Sequence, residues 1–261
     1  MPRDPIIIVT PAASPFFNMA ADEYLFDEVR GSSFAPAVIR IYGWTPPGIT
    51  IGYNQPLYRA LNPSLPTVPV PVIRRITGGR AIYHETTEVT FSLIASIGLL
   101  TAQTNSIAAV NSLISSLLVD ILRRLGIDAS WSRNSTRHRP DLSESAAGAC
   151  FQSITRFELT AGGFKIAGGA QRRRGDFFIH QGSIKINGMT SFPAIAQPAQ
   201  PPVLPPGITG PVTPDVLLTH FLAVFASQLS LNFVEYSFSS SELAQIEQLC
   251  ANLANNPLQK R

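Results

Sequence analysis

The reactive chemistry of this 261-residue chain is concentrated in two short stretches. The denser is Arg74-Arg75-Ile76-Thr77-Gly78-Gly79-Arg80-Ala81-Ile82-Tyr83-His84. Glycines let a backbone approach a ligand closely, and flanking guanidiniums can grip anionic oxygens. The run lacks the Gly-Lys-Ser/Thr ending of a phosphate-binding loop and does not fit a dinucleotide fingerprint. A tight hairpin with solvated arginines is the competing reading. The second stretch leads from Cys150 through Lys165-Ile166-Ala167-Gly168-Gly169-Ala170-Gln171-Arg172 to His180-Gln181-Gly182-Ser183. A thiolate is a strong nucleophile, but a free thiol of pKa about 8.5 stays mostly protonated at neutral pH unless a cation or base stands near. Free cysteine is equally at home in a core, so residue type alone leaves Cys150 open. Lys165 follows the pair Gly162-Gly163 and precedes apolar Ile166 and Ala167, which suits a strand position. His84, beside Tyr83, could orient a ligand, shuttle a proton or simply be half-buried.

Composition narrows the classes. Cys150 and Cys250 stand 100 residues apart, which gives neither a disulfide framework nor a metal-ligand spacing. Hydrophobic residues make up 45 % and charged residues 14 %, with mean hydropathy +0.15, which excludes a disordered or fibrous chain. No apolar run approaches the ~18 residues of a spanning helix, and Ile6 to Val9 is too short for a signal-peptide core, so a cytoplasmic protein without a membrane partner is expected. Seventeen arginines against three lysines, a net charge of +3 and a pI near 9.1 favour an acidic protein partner or a phosphorylated ligand. The basic residues are scattered, without aromatic interleaving, so nucleic acid ranks low.

The elements that must position these groups can be read from periodicity. Pro5 to Thr10 reads as a strand, and an amphipathic helix starts at Asn18 and stops at Gly31. Strands are predicted at Val38 to Tyr42, Gly48 to Tyr53, Val72 to Arg75 and Glu88 to Ser96. Ile107, Val110, Leu113, Ile114, Leu117, Ile121 and Leu125 give the strongest helical spacing, with Gly126 as the stop. Arg133 to Gly148 is polar and reads as a mobile loop delivering the chain to Cys150. Arg156 to Ala161 and Phe164 to Ala167 form a hairpin around Gly162-Gly163, and Phe177 to Ile186 returns as a further strand. Phe192 to Pro214 holds eight prolines and reads as an extended surface connection. Thr213-Pro214-Asp215 starts a helix, and Ser239 with Glu242 is a capping box opening the last one. The length suits one large domain.

Five motifs, taken in order, resemble the catalytic domain of the biotin/lipoate ligase family. They are Arg74-Arg75-x-Thr77-Gly78-Gly79-Arg80-Ala81-x-x-His84; Glu88-x-Thr90-x-Ser92; Ala149-Cys150-Phe151; Lys165-Ile166-Ala167-Gly168-x-Ala170-Gln171; and Gly182-Ser183-Ile184. The resemblance spans roughly residues 15 to 235, and Gly-Gly-Arg-Ala with Ala-Cys-Phe looks most like its octanoyltransferase branch. It implies an α+β fold of mixed, mostly antiparallel sheets flanked by helices, with one catalytic domain over 1–261 whose residues 239–261 form a C-terminal helix and tail. By the same resemblance, Cys150 would take octanoyl from an octanoyl acyl carrier protein, and a lysine of a lipoyl domain or of glycine cleavage H protein would accept it. Lys165 would be the family's lysine that stabilises the oxyanion. Arg74, Arg75, Thr77, Gly78, Gly79, Arg80, His84, Gly168, Gly169, Ala170 and Gln171 would bind substrate, with the glycines as a floor for the acyl chain, and neither cofactor nor metal would be needed. Arg172-Arg173-Arg174 and Arg137 to Arg139 would dock an acidic carrier. The family usually carries Gln-His-Gly-Ser where this chain has His180-Gln181-Gly182-Ser183, and a one-residue exchange on a strand changes the face, so no catalytic role passes to His180. An ATP-dependent lipoate-protein ligase, with Arg74, Arg75 and Lys165 facing phosphate, and an amidotransferase between lipoyl-bearing proteins are the alternatives. Cys250 is expected to be dispensable.

Overall fold

The computed structural model describes residues 4–31, 34–62, 64, 68–100, 106–131, 158–195, 197–205 and 208–260. Cys150, its neighbours Ala149 and Phe151, and the loop read at Arg133 to Gly148 lie outside the described residues.

Eight strands form the main sheet: β1 (Ile6–Val9), β2 (Ala37–Tyr42), β6 (Val89–Ser96), β7 (Ser130–Trp131), β8 (Leu159–Ala161), β9 (Phe164–Arg174), β10 (Phe177–Ile184) and β11 (Val234–Glu235). Their order is β11-β1-β2-β6-β10-β9-β8-β7. Pairing is parallel between β11, β1 and β2 and antiparallel elsewhere, so the sheet is mixed and mostly antiparallel, in line with the sequence reading. A second sheet of β3 (Gly48–Ile51), β4 (Val72–Arg74) and β5 (Ile82–His84) is ordered β4-β3-β5.

Strand alternation gives the main sheet two apolar faces, each covered by a helix pair. On one face Ile39, Ile41, Phe91, Leu93 and Phe178 pack against α4 (Ile107–Arg124) and α5 (Pro214–Leu229). On the other, Ile8, Val38, Ile94 and Ile179 pack against α1 (Pro15–Arg30) and α6 (Ser240–Asn255). The described residues also form two one-turn helices, α2 (Leu57–Ala60) and α3 (Ile97–Leu100).

Local chemistry sets the ends. The first helix begins at Pro15, three residues before the sequence reading, because Ser14 accepts a hydrogen bond from Phe17 N at 3.1 Å and Pro15 lacks an N–H that the first turn would leave unpaired anyway. Gly126, at φ +91°, ends the fourth helix as expected. Gly162 and Gly163, at φ +55° and +81°, make the tight hairpin turn. The Ser239–Glu242 capping box is present, whereas Thr213 caps the fifth helix without a side-chain hydrogen bond. The proline-rich connection carries a short 3-10 turn at Pro193–Ile195, and its Val203, Leu204 and Ile208 pack onto the core beside α4 and α5.

Candidate active site

Two rows of side chains cross the sheet on the face that α1 covers. One row is Arg40, Ser92, Gln181 and Ala170; its neighbour is Tyr42, Thr90, Ser183 and Gly168. Asp22, fully buried on α1, reaches down to the first row. It accepts hydrogen bonds from Arg40 Nη1 at 2.9 Å, Tyr42 Oη at 2.9 Å, Ser92 Oγ at 3.0 Å and Gln181 Nε2 at 2.7 Å. Gln181 Oε1 in turn accepts from Thr77 Oγ1 at 2.6 Å, which ties the Thr77-Gly78-Gly79 loop to the sheet.

Between that loop and the two rows lies a narrow, predominantly apolar cleft that opens to solvent. Met19, Tyr42, Trp44, Ile82, Gly79 and Ala170 are among its walls. Trp44 and Tyr42 are fully buried and mark the deep end, and Gly79 and Gly169 are exposed and mark the mouth.

Beneath the cleft, Glu88 anchors a buried polar cluster. Its Oε1 accepts from His84 Nδ1 at 2.8 Å, Thr90 Oγ1 at 2.7 Å and Ser183 Oγ at 2.5 Å. Lys185 Nζ forms an ion pair with Oε2 at 2.7 Å and donates to Tyr83 O at 2.8 Å. Burial alone would raise the Glu88 carboxyl, but Lys185 and the His84 contact outweigh it and hold its pKa well below the usual carboxylate range. Burial pushes the His84 imidazole below its ordinary value despite Glu88. His84 is therefore a neutral ring that donates from Nδ1 and accepts at Nε2 from Thr50 Oγ1, 2.8 Å away. Stacked on Trp44 at 3.8 Å, it lines the cleft from within a packed wall.

Lys165 reaches this face through an irregularity in its strand. Regular alternation back from Gly168 would turn residue 165 toward the opposite face. The ladder shifts instead: Leu159 pairs with Ala167 and Thr160 with Lys165, leaving Ile166 as an extra residue on β9. Ile166 drops into the same core as Ala167, and Lys165 swings to the Gly168 side. A Cβ built on Gly168 would sit 3.1 Å from Lys165 Cε and 3.4 Å from Nζ. Lys165 is buried, with Nζ donating to Glu158 Oε1 at 2.6 Å.

The arginines serve the backbone. Arg75 donates to Gly78 O at 2.5 Å, Arg80 O at 2.8 Å, Thr50 O at 3.1 Å and Thr50 Oγ1 at 3.0 Å, stapling the glycine loop to β3 while lining the cleft. Arg74 lies outside the cleft lining; it donates to Gly52 O at 2.7 Å, Gln55 O at 2.8 Å and, across the molecule, Leu258 O at 2.8 Å. Arg74, expected at an anionic ligand, makes scaffold contacts in this structure. Gly78 and Gly168 flank the cleft, and Arg80 is exposed beside its mouth. Gln171 belongs to the far face, where it donates to Asn111 Oδ1 on α4 at 2.8 Å; strand alternation separates it from Ala170. The same alternation splits the Arg172 to Arg174 run. Arg172 stacks over Tyr53 at 4.2 Å and Arg174 lies 3.6 Å from Asp27, whereas Arg173 donates to Gln171 Oε1 at 3.1 Å on the other side.

His180 also points away from the cleft, as the face argument required. Its ring packs on Phe91, and Gly169 leaves room for it, since a Cβ there would lie 2.2 Å from His180 Nε2. Burial pushes its pKa down to about 4. Met19, Trp44 and Thr50 line the cleft although sequence reading did not select them; they come from α1, the turn after β2, and β3, and only the fold brings them together. Cys250 is half-buried on α6, its thiol pushed up by burial and by Glu247.

Residues 14–201 match the model of the lipoyl protein ligase A/B catalytic domain. The chain belongs to that family. It is 34 % identical over 183 residues to the octanoyltransferase LipM of Kyrpidia tusciae, covering 69 % of this chain and 65 % of the relative, slightly under two thirds of that protein's length. With the octanoyltransferase LipM of Lysinibacillus sphaericus it shares 29 % identity over 253 residues, 90 % of this chain and 91 % of the relative. Among solved structures, a lipoate protein ligase-like protein of T. acidophilum with bound lipoic acid superposes with a TM-score of 0.70 at 20 % identity, over 98 % of this chain and 95 % of that one. That likeness establishes the lipoyl ligase fold. Among the described residues, no helix is long and apolar enough to cross a membrane.

Proposed function

We propose that this chain is an octanoyltransferase of lipoate biosynthesis, moving octanoyl from octanoyl acyl carrier protein to a specific lysine of a lipoyl domain or of glycine cleavage H protein, in the cytoplasm. The Cys150 thiolate attacks the donor's thioester carbonyl, the carbonyl oxygen becomes an oxyanion, and as it collapses the C–S bond to the carrier breaks and the carrier's sulfur leaves as thiolate, which then takes a proton from solvent. The acceptor amine then attacks the new thioester, Cys150 leaves as thiolate, and the amine's extra proton is lost to give the amide. No ATP enters, because thioester exchange conserves the acyl group's activation.

The observation that carries this reading is an apolar cleft on the same sheet face as a buried lysine. Six or seven methylenes at ~0.8 kcal/mol each would contribute about 5 kcal/mol to binding an octanoyl tail. Lys165 supplies the positive charge for the oxyanion, a contribution of the order of 2.7–4 kcal/mol for one such donor. The alternative, an ATP-dependent ligase, asks Arg74 and Arg75 to face phosphate, and their guanidiniums already donate to carbonyls.

Intact-mass measurement after mixing with octanoyl acyl carrier protein tests the relay. The wild-type chain should gain one octanoyl group, Cys150→Ser should gain none and lose transfer by roughly three orders of magnitude, and Lys165→Ala should acylate about 100-fold more slowly. Product formation without the adduct, or efficient transfer from octanoate and ATP without the carrier, would overturn it.

A further inference from the structure

The charges of this chain are segregated around the cleft. No Asp or Glu occurs between Glu28 and Glu85, between Glu158 and Asp176, or after Glu247. Gly79 and Gly169 at the mouth come from the first two of these segments. Tyr53 is their meeting point: its N–H donates to Thr77 O at 2.8 Å, the Arg172 guanidinium lies over its ring at 4.2 Å, and Lys260 Nζ stands 5.7 Å from the ring centroid. Lys260 also donates to Asn54 Oδ1 at 3.5 Å, and the tail carrying it is held by Arg74 N, which donates to Pro257 O at 2.7 Å. Arg172 Nη1 donates to Ile76 O at 3.2 Å, next to the glycine loop whose Gly79 lines the cleft. On the following turn, Arg59 is exposed beside Tyr58, which is 70 % exposed.

We propose that this rim, formed by Arg59, Arg80, Arg172 and Lys260 around Tyr53, is the docking surface for the acidic protein that delivers the acyl group. The proposal rests on the transferase reading and adds its donor surface. Arg172 and Lys260 meet over Tyr53, Arg80 follows Gly79 at the mouth, and Arg59 lies on the turn after Tyr53; the three sequence segments that carry them contain no acid. A like-signed rim of this kind attracts an acidic partner over about a Debye length and orients it before contact, with the exposed Tyr58 offering an amphipathic contact. The C-terminal tail thereby becomes part of the recognition surface. The docking charge expected of the whole Arg172 to Arg174 run is confined to Arg172, because the strand turns Arg173 to the far face and Arg174 lies near Asp27.

The test is direct binding of octanoyl acyl carrier protein to the full chain at about 50 mM and about 500 mM salt. Wild type should bind, Arg59→Glu with Lys260→Glu should bind roughly tenfold more weakly at low salt, and that difference should close at high salt. Arg124→Glu, exposed at the end of α4, should bind as wild type. Equal binding by the double variant, an equal loss in Arg124→Glu, no binding by wild type, or equally tight capture of anionic vesicles or of RNA would each overturn the docking surface. Binding is read apart from turnover. Transfer without rim-dependent binding rejects the surface and leaves the transferase reading standing; absence of both rejects both.

Discussion

A buried amine is costly unless its polar end is paired, and Lys165 Nζ donates to Glu158 Oε1 at 2.6 Å. His180 shows the opposite solution. With its pKa pushed to about 4 by burial, the folded state keeps it neutral, whereas an unfolded chain takes up a proton near pH 6.5. Its share of stability is therefore fully present above pH 6.5 and is lost as pH falls toward 4, about 3 kcal/mol in all. His84, also shifted down, acts in the same direction. Urea titrations at pH 7 and pH 4.5 should show His180→Gln losing less stability on acidification than wild type; parallel losses would mean the ring is not held neutral. The type of these residues was visible in the sequence, and so was the rule that exchanges faces at 180 and 181. The partners were not, because Glu158, Asp22 and Thr50 are chosen by packing across the sheet.

Among elements, helix ends were the more legible. Ser239 with Glu242 and the glycine at 126 are local signals, each read from a few neighbouring residues. Strand faces are harder, because alternation holds only while the ladder stays regular. The glycines separate the two situations. Gly169 faces His180 so closely that Gly169→Ala should force β9 from β10 and cost about 1–3 kcal/mol, whereas Gly78 has open space where a Cβ would go and Gly78→Ala should leave the melting temperature unchanged. Similar melting points for the two variants would show that the sheet yields at Gly169. Reading both as one glycine floor missed this difference, since conformational freedom and close approach are separate reasons for glycine.

For the molecule as a whole, two of the four helices that sandwich the sheet were legible from their apolar spacing and the other two from their start signals, but the closure between chain ends was not. Arg74 and Leu258 lie 184 residues apart and meet at 2.8 Å, a pairing with no local signature. A chain ending at Asn255 should keep α6 on α1 yet lose the Arg74 and Lys260 contacts, lowering stability by about 1–2 kcal/mol in a thermal melt; an unchanged melt would mean the tail contributes nothing to the fold. The shifted ladder at Ile166 has a further meaning for anyone who would rebuild this protein. On an idealised ribbon the same spelling would hide the ammonium among the helices behind the sheet, and a designer who straightened the strand would have to write that lysine at 166 to recover its aim.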